Sequence, residues 1–205
     1  MCPMVSLSSK SVVFVAVMSA LGNVLSALSI TVSPIIPSIP LGPISVSLAL
    51  DLSHVTTFIA ALFGGPIIGG LTGMIGGLVA AYRFGFSSGN LITGFSLPIG
   101  KALTGVTAGY VMSSYGLLNR HRLSTVLITV ISYIPEGIFT AFVFLYMLQP
   151  VFGLPMAVIR IITTQILVKA LFEMVVMGLL LAAMMGNQGF TGYVKGFFAR
   201  PESRM

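Results

Sequence analysis

Six ionisable residues fall inside or at the ends of long apolar runs: Asp51, Lys101, Glu136, Arg160, Lys169 and Glu173. A charge at the centre of a spanning helix costs about 2.5–3.5 kcal/mol or more, so each points to binding or ion pairing. Lys169 and Glu173 are four residues apart and can neutralise each other on one helix. Lys before Glu is the weaker order, which leaves Lys169 also free to reach Glu136 on another helix. Glu136 directly follows Pro135, whose kink frees a backbone carbonyl. It reads either as half of a structural ion pair or as a substrate ligand. Asp51 and His54 are three residues apart and share a face if the segment is helical. They read either as an interfacial cap and satisfied polar pair or as the rim or floor of an outward-facing site.

Arg160 sits near a helix end, where its stem can snorkel. Arg83, Asn90, Tyr133 and Gln165, with Tyr82 and Tyr146, add hydrogen-bonding and aromatic surface. Such a set suits a pocket for a small, partly aromatic molecule. The Lys and Arg excess on the outer half favours an anionic or carbonyl-rich one. Covalent chemistry is not legible. The chain has no Walker motif, no His-Glu-x-x-His and no Cys pair, only Cys2. His54 and His121 fall on opposite sides of the expected topology, so no metal site and no cofactor are expected.

The elements that position these residues are membrane helices. The chain has 205 residues, 56% of them hydrophobic and 7% charged. Its mean hydropathy is +1.07. Soluble domains carry roughly 25% charged residues, and so few charges cannot cover a water-exposed surface. Disorder is excluded by the apolar content. A β-barrel is disfavoured because the runs are continuous rather than alternating.

Six spans are expected, at residues 12–30, 45–63, 66–82, 97–115, 124–148 and 156–185. The fold class is thus an all-α integral membrane bundle, read as a single domain over residues 1–205. Residues 31–43 hold Pro34, Pro37, Pro40 and Pro43 and read as an irregular apolar loop. Only Gly64 and Gly65 separate the second and third spans, so residues 45–82 form either two spans or a re-entrant pair. Asn119, Arg120, His121 and Arg122 mark a polar turn, and the tail from Gly186 is short and basic. With six spans, Lys10, Arg120, Arg122, Lys195, Arg200 and Arg204 share one side. Arg83, Lys101 and Arg160 lie toward the other, which places both termini in the cytoplasm. The basic balance reads as topology and contact with membrane lipid, not as a nucleic-acid surface.

Small residues dictate close packing. Gly65, Gly69, Gly73 and Gly77 recur every fourth residue, and Gly100, Gly105 and Gly109 follow in the next span. Ala16 and Ala20 make a shallow groove on the first span. That groove suits either packing inside the bundle or docking of a separate membrane subunit.

The stretch Ala16-Val17-Met18-Ser19-Ala20 resembles the Ala-x-x-x-Ala motif of the substrate-binding S components of energy-coupling factor (ECF) transporters. Leu50-Asp51-Leu52-Ser53-His54-Val55, followed by Leu62-Phe63-Gly64-Gly65-Pro66-Ile67-Ile68-Gly69-Gly70, is similar to a second segment of that family. Vitamin-binding members, the riboflavin type above all, carry Asp-Phe-Ser-Asp-Ile/Val-Pro and then Phe-Gly-Pro-x-x-Gly there. Here His54 replaces the second Asp, Thr56 replaces the Pro, and an extra glycine precedes Pro66. The resemblance implies six helices with both termini cytoplasmic and docking through Ala16 and Ala20 onto a T component. It implies import of a small water-soluble vitamin or related micronutrient, driven by two cytoplasmic ATPase subunits, and no catalysis by this plasma-membrane chain. An autonomous small carrier or channel, and an intramembrane enzyme or assembly factor, are the alternatives.

Overall fold

Ser8 starts the first helix, α1 (Ser9–Val32): its hydroxyl accepts the Ser11 N–H at 3.3 Å. The computed structural model describes residues 8–35, 38–41, 44–47, 50–115, 122–153 and 155–198, with residues 38–41 and 44–47 described by backbone alone. Asn119, Arg120, His121, Arg200 and Arg204 lie outside them.

The face that α1 turns inward carries Ser11, Phe14, Val15, Ser19, Gly22 and Ser26, while Val13, Val17, Val24 and Leu28 are exposed. This inverts the pattern of a soluble helix. Lipid tails are as apolar as Val or Leu, so burial gains nothing for those residues. Small residues and hydroxyls instead line the interface where backbones meet.

After α1 the chain forms an antiparallel hairpin, β1 (Ser38–Leu41) with β2 (Ile44–Ser47), in register Ser38–Ser47 and Leu41–Ile44. This corrects two expectations, the irregular loop over 31–43 and a second span beginning at 45. The alternation Ile44-Ser45-Val46-Ser47 has the period of a strand, and Pro40 is tolerated in a two-stranded ribbon that is all edge.

Helix α2 (Ser53–Gly76) is interrupted at Gly65, with φ 80° and ψ −170°. A Cβ placed on Gly69 would lie 2.8 Å from the Ala61 Cα, eight residues earlier. In a continuous helix those positions are about 12 Å apart. Gly73 likewise meets Thr57, 3.1 Å from its Cγ2. The chain therefore reverses at Gly65, and α2 is two antiparallel arms. Pro66 opens the second arm, where its missing N–H costs nothing. That arm continues into α3 (Leu78–Phe84), and a 3₁₀ turn (Phe86–Ser88) follows.

Helix α4 (Leu91–Ser114) begins six residues before the expected 97, because Asn90 caps it by accepting the Thr93 N–H at 3.0 Å. It runs antiparallel to the second arm of α2. Gly69 meets the Gly105 carbonyl, Gly73 meets Lys101, Gly77 meets Pro98, and Gly109 meets Pro66. The glycine ridge thus brings two helix backbones into contact.

The expected fifth span is a broken path: α5 (Arg122–Ser132), α6 (Ile134–Phe142), a π turn (Val143–Leu148) and α7 (Gln149–Phe152). Pro135 lies in the first turn of α6, at the expected kink. Helix α8 (Met156–Met185) packs antiparallel to α5, with Gly178 against Val126. The tail forms a further helix, α9 (Gln188–Phe198), whose Phe197 and Phe198 stack on Phe14 of α1 at 5.9 and 4.9 Å. The start of α1 and the end of α9 therefore share one end of the bundle. By length and apolar composition, four described stretches could cross a membrane: Ser9–Val32, Ser53–Ser88, Leu123–Val151 and Met156–Met185. The second of these contains the reversal at Gly65.

Candidate functional site

Residues 51–53 link three helices. The Asp51 carboxylate accepts the Lys101 ammonium of α4 at 2.7 Å. Lys101 also donates to the Ser53 hydroxyl. The Asp51 backbone N–H donates to Glu173 Oε1 of α8 at 3.1 Å. Lys169, one turn earlier on α8, reaches that same oxygen at 3.6 Å. The Leu52 N–H donates to the Ser29 hydroxyl of α1 at 3.3 Å. Asp51 does not sit on a helical face with His54, as the spacing suggested. It precedes α2 and accepts the Ser53 N–H at 3.1 Å, which anchors the start of the first arm.

Lys101 is 3% exposed, in the middle of α4, rather than near the outer end as expected from a later helix start. In lipid, a buried ammonium survives only with such partners, and Asp51 and Ser53 supply them.

A small cavity of about 80 Å³ opens above this junction. Ser26, Ser29, Ile30 and Ser33 of α1 form one wall. Leu50, Asp51, Phe84 and Lys169 close the others. It therefore offers three hydroxyls, one carboxylate, one ammonium and one aromatic ring. Two ion pairs, Asp51–Lys101 and Glu173–Lys169, leave its surroundings near neutral. Its volume is below the roughly 300–1,000 Å³ of drug-sized sites, room for only part of such a ligand.

The other expected site residues are dispersed. Glu136 is buried in the first turn of α6, where the Thr104 hydroxyl donates to it and Gly100 packs on its side chain. It has no cationic partner within ion-pair distance among the described residues, and Lys169 pairs with Glu173 instead. Tyr133 is buried one turn before it. His54 is 5% exposed, inside the bundle rather than at a rim, and its Nδ1 has no hydrogen-bond partner. Arg83 is exposed at the end of α3, and Asn90 is committed to capping α4. Arg160 and Gln165 line a separate outward groove on α8. Ala16 and Ala20 are exposed on the face of α1 opposite its packed serines.

Sequence reasoning missed Ser26, Ser29, Ser33, Leu50 and Phe84. The three serines recur at helical spacing on one face of α1, a signal legible in the chain. Leu50 and Phe84 carry no such signal, because only folding brings them together.

A family model described as "ECF transporter, substrate-specific component" matches residues 10–199. No curated protein and no solved structure matches the chain.

Proposed function

The chain belongs to the substrate-specific components of ECF transporters, and on that premise we propose that it captures a small water-soluble organic micronutrient at the Asp51–Lys169 cavity. Components of this class bind substrate without catalysis, and this one is a multi-pass protein of the plasma membrane. The proposed topology has six crossings: α1, the two arms of α2 with α3, α4, the α5–α7 path, and α8. Lys10 and Lys195 lie at the end shared by α1 and α9, which supports a cytoplasmic assignment for that end.

One observation carries the assignment of the site. Ser33 and Leu50, which line the cavity, are also the residues that flank the β1–β2 hairpin segment. That chain continuity supports a role for the hairpin segment as the lid of the cavity. A neutral or zwitterionic ligand with hydrogen-bonding groups and a flat portion fits the lining. Its acceptors would meet Lys169 and the serines of α1, and its ring would lie on Phe84. A riboflavin-like molecule is one member of that chemical class. His54 and Thr56 in place of Asp and Pro separate this chain from the riboflavin-type pattern.

Delivery would require a T component docked on the exposed Ala16–Ala20 face of α1, with two cytoplasmic ATPase subunits supplying the energy. Native mass spectrometry of the purified chain should reveal one retained small molecule. Cells expressing the chain with a T component and both ATPases should accumulate that molecule, and cells expressing the chain alone should not. Uptake by the chain alone would instead establish an autonomous carrier.

A further inference from the structure

Asn23 of α1 bridges a break in a neighbouring helix. Its side-chain Nδ2 donates to the Ile75 carbonyl at 2.9 Å, and its Oδ1 accepts the Val79 N–H at 3.0 Å. Ile75 and Val79 are four residues apart, so a continuous helix would pair these two groups with each other. Instead the second arm of α2 ends at Gly76, Gly77 has φ −87° and ψ −4°, and α3 begins at Leu78. The regular bonds are kept on either side. Gly77 donates to the Gly73 carbonyl and Ala81 to the Gly77 carbonyl, both at 3.0 Å. A side chain inserted into the helical ladder is a recognised cause of a sharp bend.

The direction of α3 matters because Phe84, its last residue, lines the Asp51–Lys169 cavity. Ser26, Ser29 and Ser33 of α1 line it as well, and Asn23 lies one turn before Ser26 on the same helix. One amide therefore ties the helix that carries the serines to the helix that carries the ring. Shape alone does not fix α3. Its buried residues are Ala80 and Ala81, and the Gly85 that follows meets Gly94 of α4. Residues this small offer no interlocking side chain to hold a short helix in one direction. Phe84 lies about 10 Å beyond Gly77 along the helix, so a change of about 20° at the break carries it by roughly 4 Å. A cavity of about 80 Å³ is small enough for such a step to open or close it.

We infer that Asn23 is a positioning residue for substrate binding: by taking both ends of the broken Ile75–Val79 bond, it sets the direction of α3 and so the place of Phe84 in the cavity. This rests on the assignment of that cavity to the substrate.

The test uses the full-length protein, with Cys2→Ser removing its one cysteine. Nitroxide labels are attached through Leu28→Cys on α1 and Tyr82→Cys on α3, both at exposed positions, and their separation is read by double electron–electron resonance. Leu28→Cys with Phe95→Cys, an exposed position on α4, gives a reference distance. Asn23→Leu keeps the size of asparagine and removes both hydrogen bonds, so Val79 re-pairs with Ile75 and the helix straightens. The distance from α1 to α3 should then shift by about 3 Å, while the reference distance stays constant. Asn23→Ser is too short to span both groups and should shift it in the same direction, which covers a failure of Asn23→Leu to fold. Ser19→Ala removes a different α1 bond to the second arm of α2, the one to the Thr72 carbonyl, and should leave the distance unchanged. Native mass spectrometry of the unlabelled proteins reads the small molecule retained on purification, which should fall severalfold in both Asn23 variants and not in Ser19→Ala. An unchanged distance from α1 to α3 in both Asn23 variants, or an equal shift in Ser19→Ala, overturns the inference. A shifted distance with unchanged retention keeps Asn23 as the residue that directs α3 and overturns the cavity as the substrate site.

Discussion

The Lys101 ammonium lies 2.7 Å from the Asp51 carboxylate, joining the middle of α4 to the residue that opens α2. The pair sits at the floor of the proposed binding cavity and ties the hairpin arms to α4. Breaking a buried pair by removing one partner costs about 3–5 kcal/mol, because the other charge is left without compensation. Lys101→Met and Asp51→Leu alone should each sharply lower the thermal midpoint in detergent. The double variant should recover most of that loss. Two additive losses would show that the residues do not act as a pair.

Lys169 differs from Lys101 in exposure: its side chain is 35% exposed, against 4%, and its partner Glu173 is farther away. A half-exposed ammonium at a cavity wall is free to exchange partners. Lys169→Ala should weaken retention of the co-purified ligand about ten- to hundredfold, the loss of one charge-assisted hydrogen bond of about 1.5–3 kcal/mol. The thermal midpoint without ligand should fall less than in Lys101→Met, because Glu173 keeps the Asp51 N–H. A fall in stability with unchanged ligand retention would assign Lys169 to structure alone.

Gly65 has φ 80° and open space around its Cα, so backbone conformation alone makes it glycine. Gly65→Ala should cost about 1–3 kcal/mol, because φ 80° with ψ −170° is backbone that essentially only glycine adopts. Gly69 differs, because a Cβ there would sit 2.6 Å from the Gly105 carbonyl oxygen. Gly69→Leu should abolish the folded state, seen as loss of the monodisperse peak in size-exclusion chromatography, while Gly65→Ala should retain it.

Ala16 and Ala20 are exposed on α1 while Ser19 and Gly22 are packed against the second arm of α2. Ala16→Trp and Ala20→Trp should therefore leave folding and ligand retention intact. Uptake in cells that also express a T component and ATPases should fall to background. Wild-type uptake in both variants would place the docking surface elsewhere.

Much of the bundle was legible from the chain. Apolar runs far longer than a strand announced the helices, and glycines at fourth-residue spacing announced the close approach of α2 and α4. The reversal at Gly64 and Gly65 was common to both readings of residues 45–82, two spans or a re-entrant pair; which of the two was not legible, because a Gly-Gly-Pro break states where a helix ends and not how deep its arms run. The β1–β2 hairpin was obscured by four prolines, which argue against helix and say less about a two-stranded ribbon. The candidate site was least legible. Asp51, Lys101, Lys169 and Glu173 were identifiable as costly charges, and the Lys169–Glu173 pair was legible from its four-residue spacing, but the Asp51–Lys101 pair was not.

The sequence by itself determined that this chain lives in lipid, that its charges must be paired or bound, and that its helices meet through small residues. These follow from transfer free energies and side-chain volumes, which are properties of each residue and its near neighbours in the chain. The tertiary structure decided which carboxylate met which ammonium, and that Leu50 and Phe84 share a cavity with three serines of α1. Partner choice depends on helix register and on the reversal at Gly65, which bring together residues more than a hundred positions apart, such as Asp51 and Glu173.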